Sequence, residues 1–233
     1  MPYHSHGATS PYTVAQMASI DDHYPISCAF CNISKAYQPS QPSPIPTSPD
    51  PDKVSPQCHL LLSTTHILAF LDIMPIAPGH ILLTTRTHYE KLTDLHAASI
   101  PSPTGSHWIS NRAASTAAET ALQIGAWLPR LSTALCKVTG IEDWNIVQNN
   151  GARAAQVVPH VHFHLIPRYQ EGRRDIGDKA KVNEQMLKSW KMFGRGSRED
   201  LDDEEGAELA SKLREALADG LALEGDKAIK AKI

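Results

Sequence analysis

Pro159-His160-Val161-His162-Phe163-His164-Leu165-Ile166-Pro167-Arg168 decides how this chain reads. Three histidines alternate with Val161, Phe163 and Leu165, and Pro167 closes the run. Period two marks a half-buried strand, which predicts three imidazoles on one face and an apolar underside. At ~3.3 Å per residue the rings would line a ledge roughly 13 Å long. Imidazole serves near neutral pH as nucleophile, base or metal ligand without special activation. A chance pair is unremarkable among 12 histidines in 233 residues. An alternating triplet between β-formers is not, and it points to catalysis or metal binding.

Working outward, Trp144–Asn149 predicts a strand and Asn149-Asn150-Gly151 a turn. Before them, Asn111–Val138 is Ala/Leu-rich and predicts a long helix that Pro129 kinks or splits. Cys58–Ser63 and His66–Asp72 read as a hairpin, and Gly79–Arg86 as a third strand. Seven prolines between Gln38 and Pro56 exclude a helix or inner strand, so an insert over 38–57 should be an exposed loop. A second loop is expected over 99–110. Antiparallel strands with segregated helices predict an α+β domain over 25–170: a five-stranded antiparallel sheet with a long and a short helix packed on it. Residues 1–24 read as a flexible arm and 171–233 as a helical extension. Within the extension, an amphipathic helix is expected over Lys179–Phe193, and an acidic run over Glu199–Glu205 should cap a final helix ending near Asp219.

Composition narrows the function classes. Net charge of −3 and 6% aromatic residues give no general pull toward nucleic acid and no base-stacking platform. The most apolar stretch, Leu60–Leu83, is broken by His66, Asp72, Pro75, Pro78 and His80, so it cannot cross a bilayer as a helix. Four cysteines are too few for a disulfide scaffold, and no secretory signal is evident at the start, so a cytoplasmic or nuclear setting is expected. Two of the four form Cys28-Ala29-Phe30-Cys31. A thioredoxin-like redox motif would want a βαβ setting, which is not evident; a zinc site and a pair of idle thiols both remain open.

Taken together, C-A-F-C (28–31), A-F-L-D-I-M-P-I-A-P-G-H-I-L-L (69–83), N-I-V-Q-N-N-G (145–151) and the histidine run resemble the histidine-triad (HIT) superfamily. The resemblance covers roughly residues 26–170 and is nearest to the Hint branch, whose fungal members are adenosine 5′-monophosphoramidases. It implies a HIT-like fold, a homodimer and a purine nucleotide substrate. It also implies His162 as nucleophile, with His160 and His164 completing the catalytic set. Attack at the α-phosphorus would expel an amine and leave a nucleotidyl-histidine that water hydrolyses, one hard displacement becoming two easier ones. The nucleotide would be held by Asp72 on the ribose hydroxyls, by Phe30, Ile33, Leu71 and Ile73 around the purine, and by Asn149, Gly151 and Gln156 on the phosphate side with His162 and His164. The C-x-x-C members of the family further imply zinc held by Cys28, Cys31, His88 and His160.

Two positions depart from the family pattern: Ala155 stands for its usual Gly, and Val157 for its Ser or Thr. Losing one transition-state donor costs about 10²–10³ in rate where that donor is fully used. Two rivals therefore accompany the phosphoramidase reading: a dinucleoside polyphosphate hydrolase of the Ap3A/Ap4A type, and a catalytically weak nucleotide-binding interaction protein.

Overall fold

The computed structural model describes residues 27–99, 107–169 and 200–230. The arm expected over 1–24, most of the loop over 99–110 and the helix over 179–193 lie outside them. Three strands with near-continuous apolar sequence, β1 (Leu60–Ser63), β2 (Ile67–Leu71) and β3 (Ile81–Thr85), are buried at every position. Such runs need cover on both faces, and they have it. β4 (Asp143–Gln148) and β5 (His162–Arg168) complete one antiparallel sheet in the order β1-β2-β3-β5-β4.

Among the described residues, four helices accompany the sheet: α1 (Ala29–Ala36), α2 (Leu92–Ser99), α3 (His107–Thr139) and α4 (Asp203–Lys230). Long α3 crosses β2, β3 and β5, while α4 lies over β1 and β2 and against α3. Their face of the sheet carries the main apolar core: Leu61, Ala69, Leu71, Leu83 and Leu165 pack with Leu131 and Leu135 of α3 and Leu213 and Leu217 of α4. Over the other face lies α1, whose Phe30 joins Leu68, Phe70 and Leu82 in a smaller cluster. Arg86 fastens that helix, donating to the Ser34 and Tyr37 carbonyls at the end of α1 and to the Thr64 carbonyl and Ser63 hydroxyl of the β1–β2 turn.

Several expectations change. α3 begins at His107, inside the expected loop, and runs unbroken through Pro129. The orphaned acceptor is the carbonyl of Gly125, on the exposed side where water can serve it, so the helix neither splits nor stops. The proline-rich insert is not merely an exposed loop. Ser40 N–H donates to the Ser63 carbonyl, Ser63 N–H to the Pro44 carbonyl, and Ile45 is buried in the core. The last helix extends to Lys230 rather than ending near Asp219, held on α3 by Arg130–Glu224 and Lys137–Asp219 pairs. Asp202 caps it, its carboxylate accepting from the Glu204 and Glu205 amides. Close approach requires Gly206, where a Cβ would stand 2.6 Å from His59 Nε2. Just before this helix, Leu201 N–H donates to the Ile73 carbonyl at 2.8 Å.

Candidate active site

Register across the sheet gathers the polar residues. Phe70 pairs with Leu82 and Leu82 with His164, while Thr84 pairs with His162, so alternation puts all five on the α1 face. Asp72 and His80 extend that face beyond the ends of β2 and β3. Asp72, His80, Thr84, His162 and His164 are all buried. Buried polar groups are costly unless bonded, and the bonds here also fix which ring nitrogens carry hydrogen.

His162 Nδ1 lies 2.6 Å from the His160 carbonyl oxygen, an acceptor only. The hydrogen is therefore on Nδ1 and the lone pair on Nε2, the arrangement a nucleophilic imidazole needs. Thr84 Oγ1 donates to the Val161 carbonyl and steadies the backbone at the strand's start. His164 receives the opposite setting. Ile76 N–H donates to His80 Nδ1 (3.2 Å), so His80 offers its Nε2 hydrogen to His164 Nδ1 at 3.0 Å. His164 then keeps its own hydrogen on Nε2. Asp72 Oδ2 also lies 3.2 Å from His80 Nδ1. With ring centroids 4.8 Å apart, His162 and His164 thus combine an electron-pair donor with a hydrogen donor.

His160 does not share the ledge expected for three rings. It precedes β5 in an irregular bend and is fully buried, its N–H donating to the Val158 carbonyl while Val161 N–H donates to the Tyr89 carbonyl. Thr85 N–H still reaches the Val161 carbonyl, but these local bonds end the ladder there, and the His160 ring lies against Phe30 of α1. His160 Nε2 faces the Thr85 carbonyl (2.8 Å) and hydroxyl (3.0 Å), leaving Nδ1 toward Cys28 Sγ (3.3 Å) and Cys31 Sγ (3.6 Å). His88 Nδ1 lies 3.3 Å from Cys31 Sγ. The four donor atoms of Cys28, Cys31, His88 and His160 all fall within 4.8 Å of one another. Two sulfurs and two imidazole nitrogens are the donor set a tetrahedral zinc ion takes. Burial and the neighbouring Cys28 push the Cys31 thiol up to about 11, and burial pulls His160 down to about 4, so the imidazole stays neutral.

The residues implied for nucleotide binding are placed unevenly. Phe30 stands edge-on to Phe70 (5.6 Å) and to His162 (5.0 Å), and Ile33 packs in the same cluster. Leu71 is on the opposite face, inside the helical core, because it is one residue out of phase with Asp72. Phe70 takes the place facing the site, and the same alternation counted back from Asp72 would have picked it out. Ile73 is half-buried in the loop after Asp72, whose Oδ1 accepts from Met74 N–H. Asn149 follows Gln148, which pairs with Phe163 beside the His162 end of β5.

Gln156 is buried and its amide is engaged: Oε1 accepts from Gly151 N–H (2.6 Å), and Nε2 donates to the Glu90 (2.7 Å) and His160 (3.4 Å) carbonyls. It braces the 149–156 loop rather than reaching toward phosphate. Gly151 has φ +88°, and Ala155 adopts a left-handed φ of +62°, a conformation that favours glycine. Val157 is 77% exposed. Thr85, Ile76 and the His80–His164 contact had no sequence signal, since each depends on pairings remote in the chain.

A family profile described as the HIT domain matches residues 54–171. The chain is 32% identical over 146 residues to an adenosine 5′-monophosphoramidase of Schizosaccharomyces pombe, an alignment covering 63% of this chain and 77% of that protein. A second enzyme of that name, from Saccharomyces cerevisiae, is 29% identical over 163 residues, covering 70% of this chain and 76% of its own length. Among solved structures, a zinc-bound histidine triad family protein from Mycobacterium smegmatis superposes with a TM-score of 0.50 and 25% identity, covering 85% of this chain and 98% of that one.

Proposed function

The chain belongs to the histidine-triad (HIT) family, and on that premise we propose that it hydrolyses purine nucleoside 5′-phosphoramidates to the nucleoside monophosphate and an amine. The observation that carries this is the 2.6 Å contact of His162 Nδ1 with the His160 carbonyl, which keeps a lone pair on Nε2. Nε2 attacks the α-phosphorus, the P–N bond breaks, and a nucleotidyl-His162 forms. His164 Nε2–H donates toward the phosphate oxygens or the departing group. Water then cleaves the adduct and regenerates the imidazole. Asp72 accepts the ribose hydroxyls, while Phe30, Ile33, Phe70 and Ile73 flank the base. Mass spectrometry of protein quenched during turnover with an adenosine phosphoramidate tests this. An adenylate mass on the peptide holding His162 is the expected result, and an adduct elsewhere, or none under single-turnover conditions, would sink the assignment.

Val157 supports a second reading, dinucleoside polyphosphate hydrolysis. An outward-facing valine offers no hydroxyl to a departing amine, whereas a phosphate leaves as a stable anion with less help. Comparing kcat/KM for adenosine phosphoramidate and diadenosine polyphosphate separates the two.

Zinc suits the Cys28–Cys31–His88–His160 donors, with His160 neutral and its Nε2 already committed to Thr85. Zinc there would supply structure, tying α1 to the segment that aims His162. A homodimer completes the proposal. β4 is an exposed sheet edge carrying Trp144 and Ile146, and together with Leu128, Pro129 and Cys136 of α3 they line an apolar groove of about 560 Å³. A second copy would cover such an edge, and light scattering giving the monomer mass at micromolar concentration would remove the dimer.

A further inference from the structure

His160 stands between two clusters. Its ring faces the two sulfurs, and its carbonyl takes the Nδ1 hydrogen of His162. Because the residue lies outside the ladder of β5, the ring's partners help hold the carbonyl in place. Thr85 holds one edge of the ring and Gln156 reaches the carbonyl from the side. Cys28 and Cys31 hold the other edge from the N-cap and first turn of α1. Both cysteines are half-buried and His88 beside them is exposed, whereas Cys58 is 2% exposed. Small oxidants can therefore reach this pair and not Cys58.

We propose that Cys28 and Cys31 are a redox-sensitive clamp on the nucleophile: a hydroperoxide converts them to a disulfide, which withdraws both sulfurs from His160 and silences His162. The inference rests in part on reading the four donors as a metal centre. One thiolate attacks the peroxide, the O–O bond breaks, and a sulfenic acid and water (or an alcohol) result after protonation. The second sulfur then attacks that one, the S–S bond forms, and the departing hydroxide takes up the proton this sulfur gives up, leaving as a second water. Two sulfurs lose two electrons in total and the peroxide gains them. Thiolate is the metal ligand, so a disulfide at this position also gives up two of the four donors. Reduction by a dithiol reverses the step.

The test uses the full chain carrying Cys136→Ser, which removes the other partly exposed thiol, titrated with hydrogen peroxide. Four quantities are followed together: the mass of the 28–31 peptide, zinc freed to a chromogenic chelator, turnover of adenosine phosphoramidate, and the imidazole ¹⁵N signals of His162. The clamp predicts a loss of two hydrogens per pair and one zinc released per disulfide. It also predicts at least a tenfold fall in turnover, restored by dithiothreitol with zinc. The His162 signals should move from the pure Nδ1–H form to a mixture of tautomers.

A disulfide that leaves turnover and the His162 signals unchanged overturns the clamp, as does oxidation to sulfonic acid without a disulfide. Protein that holds no zinc yet is silenced by the disulfide refutes the metal reading and keeps the clamp. Protein inactive before oxidation refutes the proposed activity, and the His162 signals alone then decide the clamp.

Discussion

The two faces of the sheet come from one alternating pattern and serve opposite ends. Beneath α3 and α4 the face is dominated by the apolar core, closed by Leu131, Leu135, Leu213 and Leu217. Beneath α1 the apolar patch is small, and Asp72, His80, Thr84, His162 and His164 are buried alongside it. Burying these groups is tolerable only because they are bonded to backbone or to one another. Their fixed partners also choose the tautomers. The helical face therefore carries folding stability and the α1 face carries chemistry, so substitutions on the two should be separable.

The largest separation should come at His162. His162→Ala is expected to lower kcat on the order of 10³-fold or more while the thermal midpoint stays within a few degrees. A folded variant keeping more than a few per cent of activity would break the division. Leu135→Ala probes the other face, where deleting a fully buried side chain costs about 2–5 kcal/mol. Urea unfolding should report that loss, with kcat/KM of the folded fraction unchanged. His80→Ala sharpens the comparison from within the polar face. Removing the group that sets His164 should reduce kcat about 10²-fold and leave KM nearly as it was, and an equal rise in KM would mean His80 acts on binding instead.

A smaller effect concerns His59, buried beneath Gly206 at the start of α4. Burial lowers its pKa from the ordinary 6.5, Asp203 opposes that and Arg214 adds to it. Below about pH 6.5 the unfolded chain then binds a proton that the folded chain resists, so stability should fall as pH drops through and below that value. His59→Gln should flatten this slope in urea titrations between pH 7 and 5. The smallest effect is Ala155→Gly, which relieves a left-handed φ of +62° and should add about 0.5–1 kcal/mol. No gain would indicate that the loop relaxes without it.

Much of this division was legible in the residues. Short apolar runs between turn residues identified the first three strands, and the triad stood out because histidine is rare at three alternating positions. Period alone did not keep His160 in the strand, since its N–H turns to the Val158 carbonyl and that of Val161 to the Tyr89 carbonyl. Leu71 reads as a wall of the site in place of Phe70 because both are apolar and phase relative to Asp72 is the sole distinction. Gln156 resembles a phosphate ligand by type and place, but the nearby Glu90 and His160 carbonyls, one of them 66 residues away, claim its amide. Pro129 reads as a kink or split in the helix because sequence does not reveal that the orphaned carbonyl faces solvent. α4 outran its expected end because its later turns are fixed by α3 through Arg130 and Glu224.

The amide of Leu201 and the carbonyl of Ile73 are joined directly across 128 positions of sequence, next to the carboxylate proposed for the ribose. Occupation of that loop by a nucleoside should therefore slow hydrogen–deuterium exchange at Leu201, so the carboxyl-terminal helix would sense ligand despite lying on the opposite layer. Conversely, fraying the start of α4 would loosen Ile73, making the end of the chain a distant dial on sugar affinity.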